Sequence, residues 1–124
     1  MADKARITVT QQSDGSYSAS IGPDSITPDS NKDIKLDIDT SGWMFDSQVS
    51  APPEANGWTS IGSGIYVENG SDFSLKNDSN STKAKINDTG ADRSVHPTHR
   101  YLVCLTDGTN HINTDPIIID RDGN

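Results

Sequence analysis

The chain has 124 residues, enough for one domain with a modest core. Hydrophobic residues make up only 31% and the formal net charge is −8, values that approach those of disordered chains. The apolar residues nevertheless fall in short alternating runs between turn signals, which favours a folded domain over a coil. Only ten Lys and Arg residues are present. Because they form no cluster along the sequence, we expect binding neither to nucleic acid nor to a membrane surface.

The choice of polar residues favours strands and turns over helices. There are 16 Asp but 2 Glu, together with 16 Ser and 9 Asn, residue types that prefer turns to helix interiors. Twelve Ile stand against four Leu, and branching at Cβ suits a pleated strand. No apolar run follows the N-terminus and no segment has the length of a membrane helix. With Cys104 as the single cysteine, we expect no internal disulfide and a cytoplasmic location.

The first half of the chain predicts a hairpin followed by a strongly alternating strand. Residues 5–10 and 16–21 alternate apolar and polar side chains on either side of Ser13-Asp14-Gly15, a hairpin signal. Residues 32–39 have strict period two, with every second side chain apolar, and no helical periodicity fits them. Residues 43–49 begin a fourth element, which the prolines of the following segment end.

The second half predicts shorter strands around one central strand. Residues 100–106 are apolar on both faces, as a strand buried between two layers requires. Residues 87–98 are polar and predict the longest exposed loop. The other runs that predict strands are residues 58–61, 65–68, 72–75, 82–86 and 116–120.

Eight or nine short strands at close spacing, separated by turn residues, are typical of a two-layer sandwich. We therefore predict an all-β fold, an immunoglobulin-like Greek-key β-sandwich, with residues 1–124 forming a single domain. Asn87-Asp88-Thr89-Gly90 ahead of Tyr101 is similar to the corner at which immunoglobulin-like domains place a tyrosine whose hydroxyl bonds to the backbone. About ten residues intervene between Gly90 and Tyr101. Tyr101 is therefore either a corner tyrosine or a core aromatic.

A family resemblance rests on three segments. The chain ends in Thr114-Asp115-Pro116-Ile117-Ile118-Ile119-Asp120, starts with Ile7-Thr8-Val9-Thr10 and contains Pro23-Asp24-Ser25-Ile26-Thr27. In these segments it resembles the small bacterial DP-EP proteins, which are compact immunoglobulin-like domains with no established activity. The resemblance implies that fold and a bacterial source, and it implies no catalytic residues.

Histidines near the cysteine raise the question of a transition-metal site. Copper-binding sandwiches place Cys and His on adjoining strands with a Met nearby, but Cys104 and His111 are widely spaced and Met44 lies far upstream. Zinc would use His96, His99 and His111. The alternative is that Cys104 is a small buried hydrophobe and the histidines are loop residues.

Calcium is the other metal for which ligands are present. Residues 120–124 begin like an EF-hand loop, but the distal Glu and the flanking helices are missing. A looser site would use Asp37, Asp39, Asp46 or the turn at Asp107. The alternative is that these carboxylates are solvated turn residues. We predict that the protein has no cofactor.

Aromatic residues supply the remaining functional prediction. Trp43, Trp58 and Tyr66 fall close to Asn and Asp in the middle third of the chain, and exposed Trp beside such groups is one way in which sandwiches bind sugars. No nucleophile elbow, phosphate loop or dinucleotide fingerprint occurs, so we predict that the protein is not an enzyme. The leading hypothesis is a binding or structural module that self-associates or binds a protein partner through exposed edge strands. Carbohydrate binding and a histidine-based metal site are the alternatives.

Overall fold

Strands dominate the described part of the chain, as the composition predicts. The structure is a computed structural model that describes residues 4–22, 25–26, 33–47, 50–76, 79–88, 98–114 and 117–120. These residues form twelve strands, a single short 3₁₀ helix at Pro53–Ala55, and no α-helix. The strands are β1 (Lys4–Gln11), β2 (Tyr17–Gly22), β3 (Ser25–Ile26), β4 (Ile34–Ile38), β5 (Met44–Phe45), β6 (Thr59–Gly62), β7 (Ile65–Val67), β8 (Phe73–Leu75), β9 (Lys83–Asp88), β10 (Thr98–Thr106), β11 (His111–Asn113) and β12 (Ile117–Asp120).

The first sheet has the strand order β2-β1-β4-β9-β8. The predicted hairpin joins β1 to β2 in an antiparallel pair, and Gly15 adopts a φ of 89° in its turn. A residue with a side chain adopts such a φ only at a cost, which explains the glycine there. In contrast, β1 and β4 run parallel, while β9 is antiparallel to both of its neighbours, β4 and β8.

The second sheet is built around β10, in the order β3-β12-β10-β7-β6, with β5 and β11 also paired to β10. β12 pairs with the start of β10 and β11 with its end. β7 pairs with the middle of β10 and β5 with its end. All side chains from Tyr101 to Thr106 are buried. This confirms the prediction of a central strand that is covered on both faces.

One hydrophobic core lies between the two sheets, in a sandwich-like arrangement. Alternation places Ile7 of β1 and Leu36 of β4 in this core from one side, and Val103 and Leu105 of β10 from the other. All four side chains are 0% exposed. Each buried aliphatic side chain contributes roughly 1.5–3 kcal/mol relative to an exposed one, so the thin interior still supplies a substantial driving force. Among the described residues, no helix has the length and apolar character needed to cross a membrane.

The segment between β5 and β7 leaves the sheet and returns to it. Residues 43–49 were predicted to begin one element; residues 43–47 are described, and among them only Met44–Phe45 form a strand, β5. The chain then passes through the 3₁₀ helix and the β6–β7 hairpin, whose turn has positive φ at Gly62, Ser63 and Gly64. β6 and β7 correspond to the predicted strands at residues 58–61 and 65–68. Short strands such as β3, β5 and β11, of two or three residues, raise the number of strands above the predicted eight or nine.

Tyr101 is a core aromatic, not a corner tyrosine. Its side chain is 0% exposed, and its hydroxyl forms no hydrogen bond with any described residue. Of the two alternatives left open by the sequence, the corner is therefore wrong, because that motif requires a bond from the hydroxyl to the backbone. Gly90, the other end of the proposed motif, lies outside the described residues.

Candidate functional site

β2 is the edge of the first sheet and the longest described strand that pairs on one side only. Its six residues pair with β1 in an uninterrupted register from Arg6↔Gly22 to Gln11↔Tyr17. No residue of β2 is charged and none is proline. Natural proteins protect edges with charges, prolines, bulges or very short strands, because an open edge is a template for another strand. β2 has none of these protections within its six residues, although Pro23 follows it directly in the sequence.

The other edges among the described strands are protected. β8 has three residues and is followed by Lys76. β6 has a register irregularity between Ser60 and Gly62, which is typical of a bulge. β3 and β5 have two residues each, and β11 has three. β2 is therefore the edge that is best suited to pair with another chain.

The direction of the β2 backbone follows from its neighbour. The carbonyl of Ile7 accepts a hydrogen bond from the N–H of Asp39 at 3.0 Å, on the β4 side of β1. The N–H and C=O groups of successive residues in a strand point to opposite sides. The backbone groups of the β1 residues next to Ile7 therefore face β2, where Thr8 pairs with Ser20. The N–H and C=O groups of Ala19 and Ile21 consequently point away from the sheet.

The inward side chains of β2 are incompletely covered. Tyr17, Ala19 and Ile21 pack against the core but are only partly buried. A strand added beside β2 would cover more of their apolar surface and would also satisfy the outward backbone groups. Both effects favour pairing at this edge.

The three aromatic residues predicted to bind a ligand do not form one surface. Trp43 is 6% exposed and lies in the main core, with its ring centroid 5.2 Å from that of Tyr17. Tyr66 is 7% exposed and belongs to a second cluster on the other face of β10, against which Trp58 packs. The guanidinium of Arg100 lies 5.4 Å from the centre of the Trp58 ring, so one face of that ring is already in contact. The structure brings Tyr66 and Trp58 together and places Trp43 elsewhere.

The predicted histidine ligands are also separated. His96 lies outside the described residues. His99 is buried near the start of β10, and its Nδ1 donates to the carbonyl of Glu68 at 2.7 Å. His111 stands opposite Thr106, seven residues further along β10, which corresponds to about 23 Å of strand. His99 and His111 therefore cannot share a metal ion, and no group of three metal-ligating side chains occurs among the described residues.

His111 instead pairs with a buried carboxylate. Its Nδ1 lies 2.7 Å from Oδ2 of Asp46, whose side chain is 3% exposed. Cys104 is a free, buried thiol close to this pair, as the structural alternative predicts. Burial, together with the nearby carboxylates of Asp46 and Glu54, raises the pKa of Cys104 to about 11. The thiol is therefore protonated at neutral pH and is a poor nucleophile or metal ligand.

The aspartates considered for calcium have structural roles. Asp37 forms ion pairs with Lys4 at 3.6 Å and Lys83 at 4.0 Å. Asp107 accepts hydrogen bonds from the backbone N–H groups of Asn110 and Thr109, at 2.6 and 2.9 Å. Hydrogen bonds from Asn110 and Thr109 lower the pKa of Asp107 to about 2. Residues 121–124 of the EF-hand-like segment lie outside the described residues.

Sequence reasoning missed a basic surface. The Lys and Arg residues form no cluster along the chain, but the register of the first sheet brings several of them together on its outward face. Lys4 stands opposite Lys35, and Lys35 stands opposite Lys85. The signal was present in the alternation, since each of these lysines precedes or follows a buried residue of its strand. The strand order, which brings these lysines together, could not be predicted from the sequence.

Comparisons with known proteins add no functional assignment. A scan against protein-family models finds no match for this chain, and a search of curated proteins finds none either.

Proposed function

We propose that the protein is a non-enzymatic module that self-associates by antiparallel pairing of the β2 edges of two copies. The observation that carries the proposal is the unpaired edge: six uncharged residues in regular register, with no second hydrogen-bonded partner among the described strands, although β11 lies close to β2. A second copy of β2 fits this edge because the strand contains no charge that would repel its own copy. Pairing would join two five-stranded sheets into one continuous sheet across a two-fold axis.

The outward backbone groups define the register of this pairing. Residues whose N–H and C=O groups point outward must stand opposite each other, so a two-fold axis at Ala19 places Tyr17 opposite Ile21 of the other copy. The three resulting residue pairs exchange about six backbone hydrogen bonds, each with a net value of roughly 0.5–1.5 kcal/mol. The Tyr–Ile pairs are of the aromatic and β-branched kind that stabilises neighbouring strands.

We further propose that the two sheets form an immunoglobulin-like Greek-key sandwich, as the resemblance to the DP-EP proteins implies. Two strand orders support this assignment. The order β1-β4-β9-β8 matches strands A, B, E and D of an immunoglobulin domain, and β12-β10-β7 matches G, F and C. The parallel pairing of β1 with β4 departs from that pattern. The Asp115-Pro116 pair of the resemblance lies outside the described residues.

Proline at position 19 tests the proposed association. Ala19→Pro removes an N–H that points outward, so it should abolish dimer formation while leaving the β1–β2 ladder intact. The matched variant Ser20→Pro removes an N–H that bonds β1, and it should lower the melting temperature instead. Sedimentation velocity across a concentration series measures the dimer, and thermal unfolding measures the fold.

A second variant keeps the test independent of proline strain. In the proposed register Ser18 of one copy stands opposite Ser20 of the other. Ser18→Lys combined with Ser20→Lys changes two exposed positions and places like charges across the interface. We expect this variant to remain folded and monomeric. A wild-type protein that is monomeric at every concentration, or a dimer that survives both edge variants, contradicts the proposal.

A further inference from the structure

Four lysines form a row across the outward face of the first sheet. Lys4 on β1 stands opposite Lys35 on β4, and Lys35 stands opposite Lys85 on β9. The N–H of Lys76, directly after β8, donates to the carbonyl of Lys85 at 2.9 Å, which extends the row by one strand. The row therefore crosses four neighbouring strands at right angles to their direction. We call these four residues the lysine row.

The lysine row is costly in the isolated molecule. Like charges that stand directly opposite on neighbouring strands destabilise a sheet. Lys4 lies 3.6 Å from Asp37, and Lys76 lies 3.1 Å from Asp33. Lys35, in the middle of the row, forms no ion pair with any described residue. Ion pairing with the described residues thus leaves Lys35 uncompensated.

The face that contains the row is basic, although the protein is acidic. Of the ten Lys and Arg residues in the chain, six lie on this face or at its end. They are Lys4, Arg6, Lys35, Lys76, Lys83 and Lys85. Three aspartates lie among them, at positions 33, 37 and 39. With a formal net charge of −8 for the whole chain, the rest of the molecule is strongly negative, and the charge is separated between surfaces.

A groove lies at one end of the row. Its volume is about 560 Å³, and its lining includes Lys4, Arg6, Thr8 and Ser20. Three of these side chains already face carboxylates of the same sheet. Lys4 lies 3.6 Å from Asp37, Arg6 lies 3.8 Å from Asp39, and the Thr8 hydroxyl donates to Asp39 at 2.9 Å. These contacts show that carboxylates fit this end of the row, and a ligand carboxylate would compete with Asp37 and Asp39 for the same donors.

We propose that this face binds a short Asp/Glu-rich segment of a partner protein along the lysine row. The row spans about 14 Å, three strand spacings of roughly 4.8 Å, and an extended segment of about four residues covers that distance. A long phosphate backbone fits less well, because it would extend beyond the row and the chain as a whole has a formal net charge of −8. This inference rests on the register and the charges of the first sheet, and it does not depend on the pairing of β2.

The test uses a fluorescein-labelled octaglutamate peptide and measures fluorescence anisotropy at low salt. We expect saturable binding that is lost in 0.5 M salt, where the Debye length is roughly 3–5 Å and the attraction between exposed charges is screened. Octaglutamine should not bind. Lys35→Glu reverses one charge at the centre of the row and should weaken peptide binding about fivefold, which is the scale of one exposed ion pair lost and one repulsion gained.

Matched variants and a rival ligand make the outcome decisive. Ser50→Glu combined with Ser60→Glu changes the net charge by the same amount at exposed positions outside the first sheet, and it should weaken binding less than twofold. Lys35→Glu should not lower the melting temperature, because Lys35 stands between two other lysines. The proposal is overturned if the peptide does not bind at low salt, or if both sets of variants weaken binding equally. It is also overturned if a single-stranded oligonucleotide of eight nucleotides binds more tightly than octaglutamate.

Discussion

Removing the hydroxyl of Tyr101 should stabilise the protein. The Tyr101 side chain is 0% exposed, and its hydroxyl has no hydrogen-bond partner among the described residues. Leaving a buried polar group unpaired costs about 1–3 kcal/mol, because the same group is hydrated in the unfolded chain. Tyr101→Phe removes this cost and leaves a void of only one oxygen atom. We therefore expect the free energy of unfolding to rise by about 1 kcal/mol and the melting temperature to rise by about 4 °C.

Urea unfolding followed by tryptophan fluorescence measures this change, and calorimetry checks the melting temperature. Tyr17→Phe is the matched control, because that side chain is only partly buried and its substitution should change the free energy by less than about 0.5 kcal/mol. A loss of about 1 kcal/mol or more in Tyr101→Phe would refute the reasoning. It would mean that the hydroxyl is hydrogen-bonded, as in a corner tyrosine.

The Tyr101 hydroxyl should also make the protein less stable at strongly alkaline pH. Burial raises the pKa of Tyr101 above its ordinary value near 10. Because the pKa of Tyr101 is higher in the folded state, its ionisation does not affect the free energy of unfolding below about pH 10. Above that value the unfolded chain ionises first, and the free energy of unfolding falls as the pH rises. Tyr101→Phe should therefore lose less stability than the wild type between neutral and strongly alkaline pH.

Three further predictions concern the second sheet. Gly64→Ala should lower the free energy of unfolding, measured in urea, by about 3 kcal/mol or more. The added Cβ would collide with the carbonyl oxygen of Asp46, and the φ of 71° at this position is unfavourable for alanine. A variant of wild-type stability would contradict this close approach. Cys104 should react with a thiol reagent at pH 8 only after unfolding, since burial raises its pKa to about 11. The contribution of Cys104 to the free energy of unfolding should fall as the pH rises from about 8.5 toward 11. Rapid labelling of the native protein would show that the thiol is accessible. Arg100→Ala should increase acrylamide quenching of Trp58 fluorescence, because the Arg100 guanidinium lies over the Trp58 ring. The measurement uses a variant in which the other tryptophan is replaced by phenylalanine. Unchanged quenching would contradict the contact.

The strands that sequence reasoning located best are those whose alternation is independent of their neighbours. Residues 32–39 contain β4 with its three inward apolar side chains, and residues 100–106 fall within β10, the central strand. Both patterns report burial directly, because a side chain on a strand faces either the core or the solvent. The packing of Trp58 in one cluster with Tyr66 was not predicted, since the sequence showed only that both fall in the middle third of the chain.

Partner choice was beyond the sequence, because it depends on contacts between distant segments. Nothing in residues 5–10 indicates that β1 pairs in parallel with β4, and the lysine row exists only because of that register. The position of β2 at an edge has the same origin. The burial of Trp43 beside Tyr17 likewise depends on how the first hairpin packs on the core, so its ring could not be assigned to core or surface from local pattern.

Amide hydrogen exchange at β2 tests the central claim, the availability of its edge to a second copy, most directly. In dilute protein the amides of Ala19 and Ile21 should exchange rapidly, while the amide of Ser20, which faces β1, should be protected. At concentrations where dimers form, Ala19 and Ile21 should become protected as well. Protection of both amides at every dilution would show that the edge is already covered within one chain, and rapid exchange at all concentrations would show that no second strand binds there.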